Sequence, residues 1–219
     1  MKVDRQENDV IVTMGSDEQR IQLDFLERMN TALDQAETLA TAGGALVITA
    51  EGKFWSNGLD VGTIMAYSPE QQRDFMHHFR HLLGRLLTFP LPTVAALNGH
   101  TFAAGGVLAL ALDYRVMRED RGWFCLPEVD LNMRVDPAVL ELVRSRLRPT
   151  TVRDAFLSGR RYTAADALEA GIADAIAPGD LLLERARTLV APLAAKPRAN
   201  MTMIKSNLWG GLHRRLTED

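Results

Sequence analysis

The sequence predicts an α/β fold built on a buried parallel sheet, and three observations carry that expectation. Residues 45–50 (ALVITA) and 93–97 (TVAAL) are continuous apolar runs of strand length, the pattern of strands covered on both faces. A segment of helical period precedes each run. In the first, Phe25, Met29, Leu33, Ala36 and Leu39 share a face; in the second, Phe75, Phe79, Leu82, Leu83 and Leu86 do. Helix followed by buried strand is the beginning of a crossover unit. Each strand then runs into a glycine-bearing bend, around Asn57-Gly58 and Ala104-Gly105. Open α/β sheets collect ligands at that end of their strands.

Composition narrows the function classes. A chain of 219 residues buries roughly 70% of its unfolded surface, so it needs no staples. A net charge of −3 leaves no footprint for nucleic acid or an acidic membrane surface, and neither is expected as a partner. Cys125 is the only cysteine and cannot form an internal disulfide, which suggests a reducing compartment. The opening MKVDRQEND has no apolar core for a signal peptide, no apolar run approaches ~18 residues, and the last three residues spell no peroxisomal address. The expected location is cytoplasmic.

In chain order, residues 2–6 and 9–14 flank the turn-like Glu7-Asn8 and suggest a hairpin. The first helix ends at Gly43-Gly44, and 51–60 reads as a loop. Ser68, Pro69 and Glu70 supply an N-cap, a first-turn proline and a first-turn acid for a helix that Pro90 and Pro92 end. After residues 93–97 come the Asn98-Gly99 turn, the small residues 103–106 and an apolar helix over about 107–112. Residues 113–118 and 123–126 read as strands. Beyond Val135 the pattern turns to short helices: one from Asp136-Pro137, one from Thr150 to near Gly159, one opened by a Thr163/Asp166 capping box, then 180–190 and about 198–209. The expected division is a core over 1–135 and a helical region over 136–219, each helix apolar on one face.

Candidate chemistry starts with the two bends. If their strands are neighbours, both can aim a backbone N–H at one point, the usual means of stabilising an enolate or tetrahedral intermediate. Glu128 follows Pro127 beside Leu126 and Val129, where a desolvated carboxyl has a raised pKa suited to proton transfer; the same residues also fit a solvated turn glutamate. His77 and His81 stand at i,i+4 without a third ligand of matching spacing, so no metal is expected. His100 fits either a pocket wall or a hydrogen-bonded structural histidine. Arg144, Arg146, Arg148 and Arg153 read as a solvated helix face or subunit contact, with RNA as the other reading. Ser56 lacks a nucleophile elbow.

Three segments carry a resemblance to the crotonase superfamily of enoyl-CoA hydratases and isomerases: FWSNGLD at 54–60, NGHTFAAGG at 98–106 and LPEV at 126–129, with AADALEAGIAD at 164–174 also similar. The resemblance implies a spiral of ββα units with a helical C-terminal trimerisation region, and a homotrimer or dimer of trimers. It implies an acyl-CoA substrate, no cofactor, an oxyanion hole from the amides of Asn57 and Ala104, and Glu128 as catalytic residue. Substrate-binding positions carried over are Asn57, Gly58, Leu59, Asp60, Ala104, Val107 and Arg20. Hydratases of the family place a second glutamate three residues after the second donor, where this chain has Val107. One carboxylate suffices to move a double bond, so the resemblance implies an isomerase of the delta-3-delta-2-enoyl-CoA kind. Enoyl-CoA hydration, and a non-catalytic acyl-CoA- or RNA-binding homologue, are the alternatives.

Overall fold

The structure, a computed structural model, describes residues 1–40 and 43–218. The hairpin pairs β1 (Lys2–Gln6) with β2 (Asp9–Thr13), antiparallel, and turns through Glu7 at φ 58°. Helix α1 (Leu23–Leu39) buries Phe25, Leu26, Met29, Leu33 and Ala36 and leads to β3 (Leu46–Thr49). The chain then makes β4 (Phe54–Ser56), α2 (Val61–Met65) and α3 (Pro69–Leu87). Strand β5 (Thr93–Leu97) is followed by β6 (His100–Phe102) and α4 (Ala104–Ala111), then β7 (Tyr114–Arg118) and β8 (Phe124–Cys125). The remainder is α5 (Pro137–Arg146), α6 (Pro149–Ser158), α7 (Ala164–Glu169), β9 (Ala175–Ala177), α8 (Leu182–Ala194) and α9 (Arg198–Thr217).

Two sheets result. The larger has the order β1-β2-β3-β5-β7-β9, parallel from β2 onward; the smaller has the order β4-β6-β8, all parallel. Each turn of the chain lays one strand in the larger sheet and the next in the smaller, so β3–β4, β5–β6 and β7–β8 are successive turns of one ββα spiral. This stacking makes the loops after β4, β6 and β8 neighbours, although they lie far apart in sequence.

Several elements depart from expectation. β4 and β6 lie in stretches read as loop and bend, because three residues are too few to show a period. α2 was not anticipated; Asp60 caps it by accepting from Thr63 N at 3.2 Å. α4 begins at Ala104 rather than 107, and α9 continues to Thr217. The Ser68 cap forms, with Gln71 completing a capping box that the sequence reading did not include, and the Thr163/Asp166 capping box forms.

Residues on both sides of Val135 share each of the two hydrophobic clusters of the molecule. β9, from the helical region, is an edge strand beside β7, and α8 packs Leu182, Ala186 and Val190 on the sheet against Val47, Val94 and Val116. Leu212 and Leu216 of α9 join the core formed with α3. Buried Lys205 fixes α9: its ammonium donates to Phe89 O at 3.1 Å and Leu91 O at 2.7 Å and pairs with Asp113 at 2.5 Å. Arg146 is not part of a solvated face. It donates to Leu110 O at 2.9 Å and to Leu112 O at the C-terminal end of α4, and to Asp113 O just beyond it at 2.9 Å, and its guanidinium lies over Trp209.

Candidate active site

Gly58, at φ 81°, turns the β4–α2 loop directly against the β6–α4 bend. A Cβ there would fall 2.9 Å from Phe102 O and 3.4 Å from Ala104 N, so only glycine permits this approach. Ala103, at φ 49°, adopts a conformation that non-glycine residues rarely occupy, and it delivers Ala104 as the first residue of α4. The Ala104 N–H meets no acceptor among the described residues. It stands at the positive end of a helix and suits an oxygen bearing negative charge.

The amide of Asn57 is not free in the same way. It donates to Glu18 O at 2.9 Å, so the expectation that it supplies the first oxyanion donor meets a competing bond. The next amide that can face the bend is Leu59. Gly58 O accepts from Ile21 N at 2.8 Å, and the peptide is trans, so the Leu59 N–H points away from Ile21. No acceptor among the described residues takes it.

Glu128 completes the arrangement from the β8–α5 loop. That loop is wound back on itself by Leu131 N to Pro127 O at 3.1 Å and Met133 N to Glu128 O at 2.9 Å. Its carboxyl oxygen Oε2 is buried without a hydrogen-bond partner among the described residues, and burial raises the pKa above the ordinary glutamate value. The solvated-turn alternative therefore does not describe this side chain.

These groups open on one cavity of about 430 Å³. Arg20, Asn57, Leu59, Ala104, Val107 and Glu128 line it. Gly58 and Asp60 do not: the first is packed under the bend and the second caps α2. Met76 and Phe79 of α3 and Leu131, Met133, Val135 and Val139 give it apolar walls. Sequence reading assigned Phe79 to the core face, and a helical period does not distinguish core from cavity wall. Arg134 and Asp136 also line the cavity. Asp136 showed only as a helix cap, which it is: Oδ1 accepts from Ala138 N at 2.8 Å and Val139 N at 3.2 Å. Glu128 is therefore not the only carboxylate on the cavity wall.

The other candidates lie elsewhere. Ser56 is fully buried and donates to Gln19 O at 2.8 Å. Cys125 donates to Gly159 O, and burial pushes its thiol up to about 11. The His77 and His81 rings lie with centroids 4.1 Å apart, tilted by 37°, and no cluster of three metal-ligating side chains occurs among the described residues. The His100 ring does not line this cavity; it packs among Phe54, Phe102 and Trp123, and its Nδ1 is buried without a partner among the described residues.

The family model described as Enoyl-CoA hydratase/isomerase matches residues 11–219. The chain belongs to that family. It is 34% identical over 174 residues to Enoyl-CoA delta isomerase 2, peroxisomal, of Arabidopsis thaliana, covering 77% of this chain and 72% of that protein. To Enoyl-CoA delta isomerase 3 of the same plant it is 33% identical over 193 residues, with 85% and 81% covered. Its fold matches that of human mitochondrial delta3-delta2-enoyl-CoA isomerase with a TM-score of 0.90 at 22% identity, over 98% of this chain and 85% of that one. An enoyl-CoA hydratase/isomerase family protein from Pseudomonas syringae also matches at 0.90, with 26% identity and 98% and 92% covered. The crotonase fold is thus the fold of this chain. No helix among the described residues is long and apolar enough to cross a membrane.

Proposed function

We propose that this protein moves the double bond of a 3-enoyl-CoA to the conjugated 2-position. The carrying observation is a partnerless buried glutamate oxygen, Glu128 Oε2, on a cavity wall that also holds the unengaged Ala104 amide and apolar Val107. The thioester oxygen accepts from the N–H groups of Ala104 and Leu59. Leu59 replaces Asn57 in this role because the Asn57 amide is bonded to Glu18. One such donor is worth ~2.7–4 kcal/mol in the transition state. Glu128 takes a proton from C2, the electron pair spreads into a dienolate over the thioester, and the same carboxylic acid returns the proton to C4. One proton moves between two carbons, so the step is redox-neutral and balances without a cofactor. Desolvation suits Glu128 to both halves, since a raised pKa makes it a stronger base and keeps the proton at hand. The apolar walls from α3 and the β8–α5 loop receive the acyl chain, while Arg20 meets the CoA end.

The delta isomerases among the relatives support this reading, and the proposed compartment is the cytoplasm, although the first Arabidopsis relative is named as peroxisomal. A homotrimer or dimer of trimers is proposed with it, supported by Met203, Ile204 and Leu208 exposed on α9. Light scattering of the purified protein tests that assembly.

Asp136 favours a second reading, hydration of a 2-enoyl-CoA, because two carboxylates on one cavity can hold and activate a water. Supplying 3-hexenoyl-CoA and following the conjugated thioester by ultraviolet absorption tests the first reading. Absence of turnover, or undiminished turnover by Glu128→Gln, overturns it. Water addition to crotonyl-CoA faster than isomerisation favours the second, and tight acyl-CoA binding with neither reaction favours a non-catalytic homologue.

A further inference from the structure

The segment from Asp17 to Ile21 lies beside the β4–α2 loop like an added strap. Three backbone bonds join them: Asn57 N to Glu18 O at 2.9 Å, Ile21 N to Gly58 O at 2.8 Å and Asp60 N to Ile21 O at 3.0 Å. Within the strap, Gln19 is buried at φ 48°, an unfavourable conformation for a residue with a side chain. It is pinned from both sides, its N–H on Asp17 Oδ1 at 2.8 Å and its carbonyl accepting from Ser56 Oγ at 2.8 Å. A strained residue persists when its surroundings over-determine it, and such residues gather at functional sites.

Glu18 does two things at the cavity mouth. Besides its carbonyl bond to Asn57, its carboxylate oxygen Oε2 accepts from Asn57 Nδ2 at 3.0 Å and from Arg20 Nε at 2.6 Å. Those partners hold the Glu18 carboxyl below the usual glutamate range, Asn57 foremost, so it is ionised at working pH. Arg20 is thereby held by Nε alone. Its two terminal nitrogens meet no acceptor among the described residues, and the residue lines the cavity. A guanidinium presents those terminal donors as a planar fork matched to phosphate oxygens.

We infer that Glu18 is a positioning residue that couples the two ends of the substrate: through Arg20 it aims a fork at the phosphate-bearing end, and through Asn57 it holds the loop carrying the Leu59 amide at the thioester. This rests on the proposed reaction. It assigns to Glu18 effects on both binding and turnover, and the two separate on a substrate that lacks phosphate.

The test compares wild type, Glu18→Gln, Glu18→Ala and Arg20→Met on 3-hexenoyl-CoA and on the 3-hexenoyl thioester of N-acetylcysteamine, which carries no phosphate. Arg20→Met is expected to raise KM for the CoA thioester about threefold to fivefold, to raise KM for the short thioester by less, and to lower kcat on neither. Glu18→Ala is expected to raise KM for the CoA thioester similarly and also to lower kcat about tenfold on both thioesters. Glu18→Gln, which keeps the acceptor without the charge, falls between wild type and Glu18→Ala. Kinetics of Glu18→Ala that equal wild type or Arg20→Met overturn the inference, as does a kcat loss that the CoA substrate alone shows. Equilibrium binding of saturated hexanoyl-CoA gives a readout independent of turnover. If wild type catalyses nothing, the proposed reaction fails by itself, and hexanoyl-CoA affinity weakened in Glu18→Ala and Arg20→Met still supports the positioning role, whereas unchanged affinity overturns it.

Discussion

Gly105 and Ser56 interlock the second and first bends: a Cβ on Gly105 would lie 2.7 Å from both Cβ and Oγ of Ser56 and 2.8 Å from its carbonyl oxygen. Ser56 cannot retreat, because it is fully buried and its hydroxyl holds the strap at Gln19. The spacing of the two bends, and with it that of the Ala104 and Leu59 amides, is therefore set by the Gly105 backbone seated against the short side chain and carbonyl of Ser56.

Gly105→Ala should push these bends apart. Overpacking of this kind costs about 1–3 kcal/mol, read as a lowered thermal midpoint. The proposed hole loses its spacing as well, so kcat should fall about tenfold or more even at temperatures where the variant is folded. A folded variant with wild-type kcat would mean that the two bends do not jointly hold the thioester oxygen.

Burial of Glu128 opposes stability at neutral pH, and the proposed reaction uses that same carboxyl. Its pKa is higher in the folded protein than in the unfolded chain, mainly through desolvation. The folded state consequently binds the extra proton over the window between the two values. Stability from this group is full below the unfolded value and is lost as pH rises through the folded one. Glu128→Gln removes the buried charge, and its thermal midpoint should exceed that of wild type at neutral pH, with the gap closing on acidification. In the proposed reaction the base form of Glu128 does the work, so kcat/KM of wild type should fall as pH drops through the raised pKa. An unchanged or lowered midpoint for Glu128→Gln at neutral pH would contradict the desolvation account.

Much of this arrangement was legible in the chain. The runs at 45–50 and 93–97 announced buried strands because both faces are covered by helices, and Pro127-Glu128 announced a carboxyl in an apolar setting. What remained hidden depends on pairing across the spiral. The three-residue strands β4 and β6 have no period to detect. Which amide of FWSNGLD is free depends on Glu18 and Ile21, more than thirty residues earlier in the chain. Asp136 carries the signature of a helix cap whether or not a cavity lies beside it. Arg146 read as a surface charge because nothing local reveals that α4 ends against it.

Asp136 separates the two catalytic readings. Asn keeps the oxygen that caps α5, so Asp136→Asn should change the thermal midpoint little, within about 0.5 kcal/mol of stability. If Glu128 alone shuttles the proton, isomerisation of 3-hexenoyl-CoA by Asp136→Asn should stay within about twofold of wild type. A loss of about a hundredfold would place the Asp136 carboxylate in the chemistry, since a positioned acid or base contributes on that scale. Measuring water addition to crotonyl-CoA on the same protein shows which reaction it serves.

Lys205 tests whether α9 is integral to the site-bearing core. Burial pushes its pKa below the usual lysine range, and Asp113 pulls it part of the way back. Asp113 in turn accepts from Thr93 N at 2.8 Å and Thr93 Oγ1 at 3.0 Å, at the entrance to β5. Lys205→Met leaves that carboxylate with its countercharge removed and two carbonyls, Phe89 O and Leu91 O, without their donor. Breaking a buried pair from one side costs about 3–5 kcal/mol, so denaturant unfolding should show a loss of that order. Adding Asp113→Asn removes the stranded charge and should recover part of it. The double variant being no more stable than Lys205→Met would mean that the carbonyl contacts, and not the ion pair, hold α9 against the strand that leads to the site.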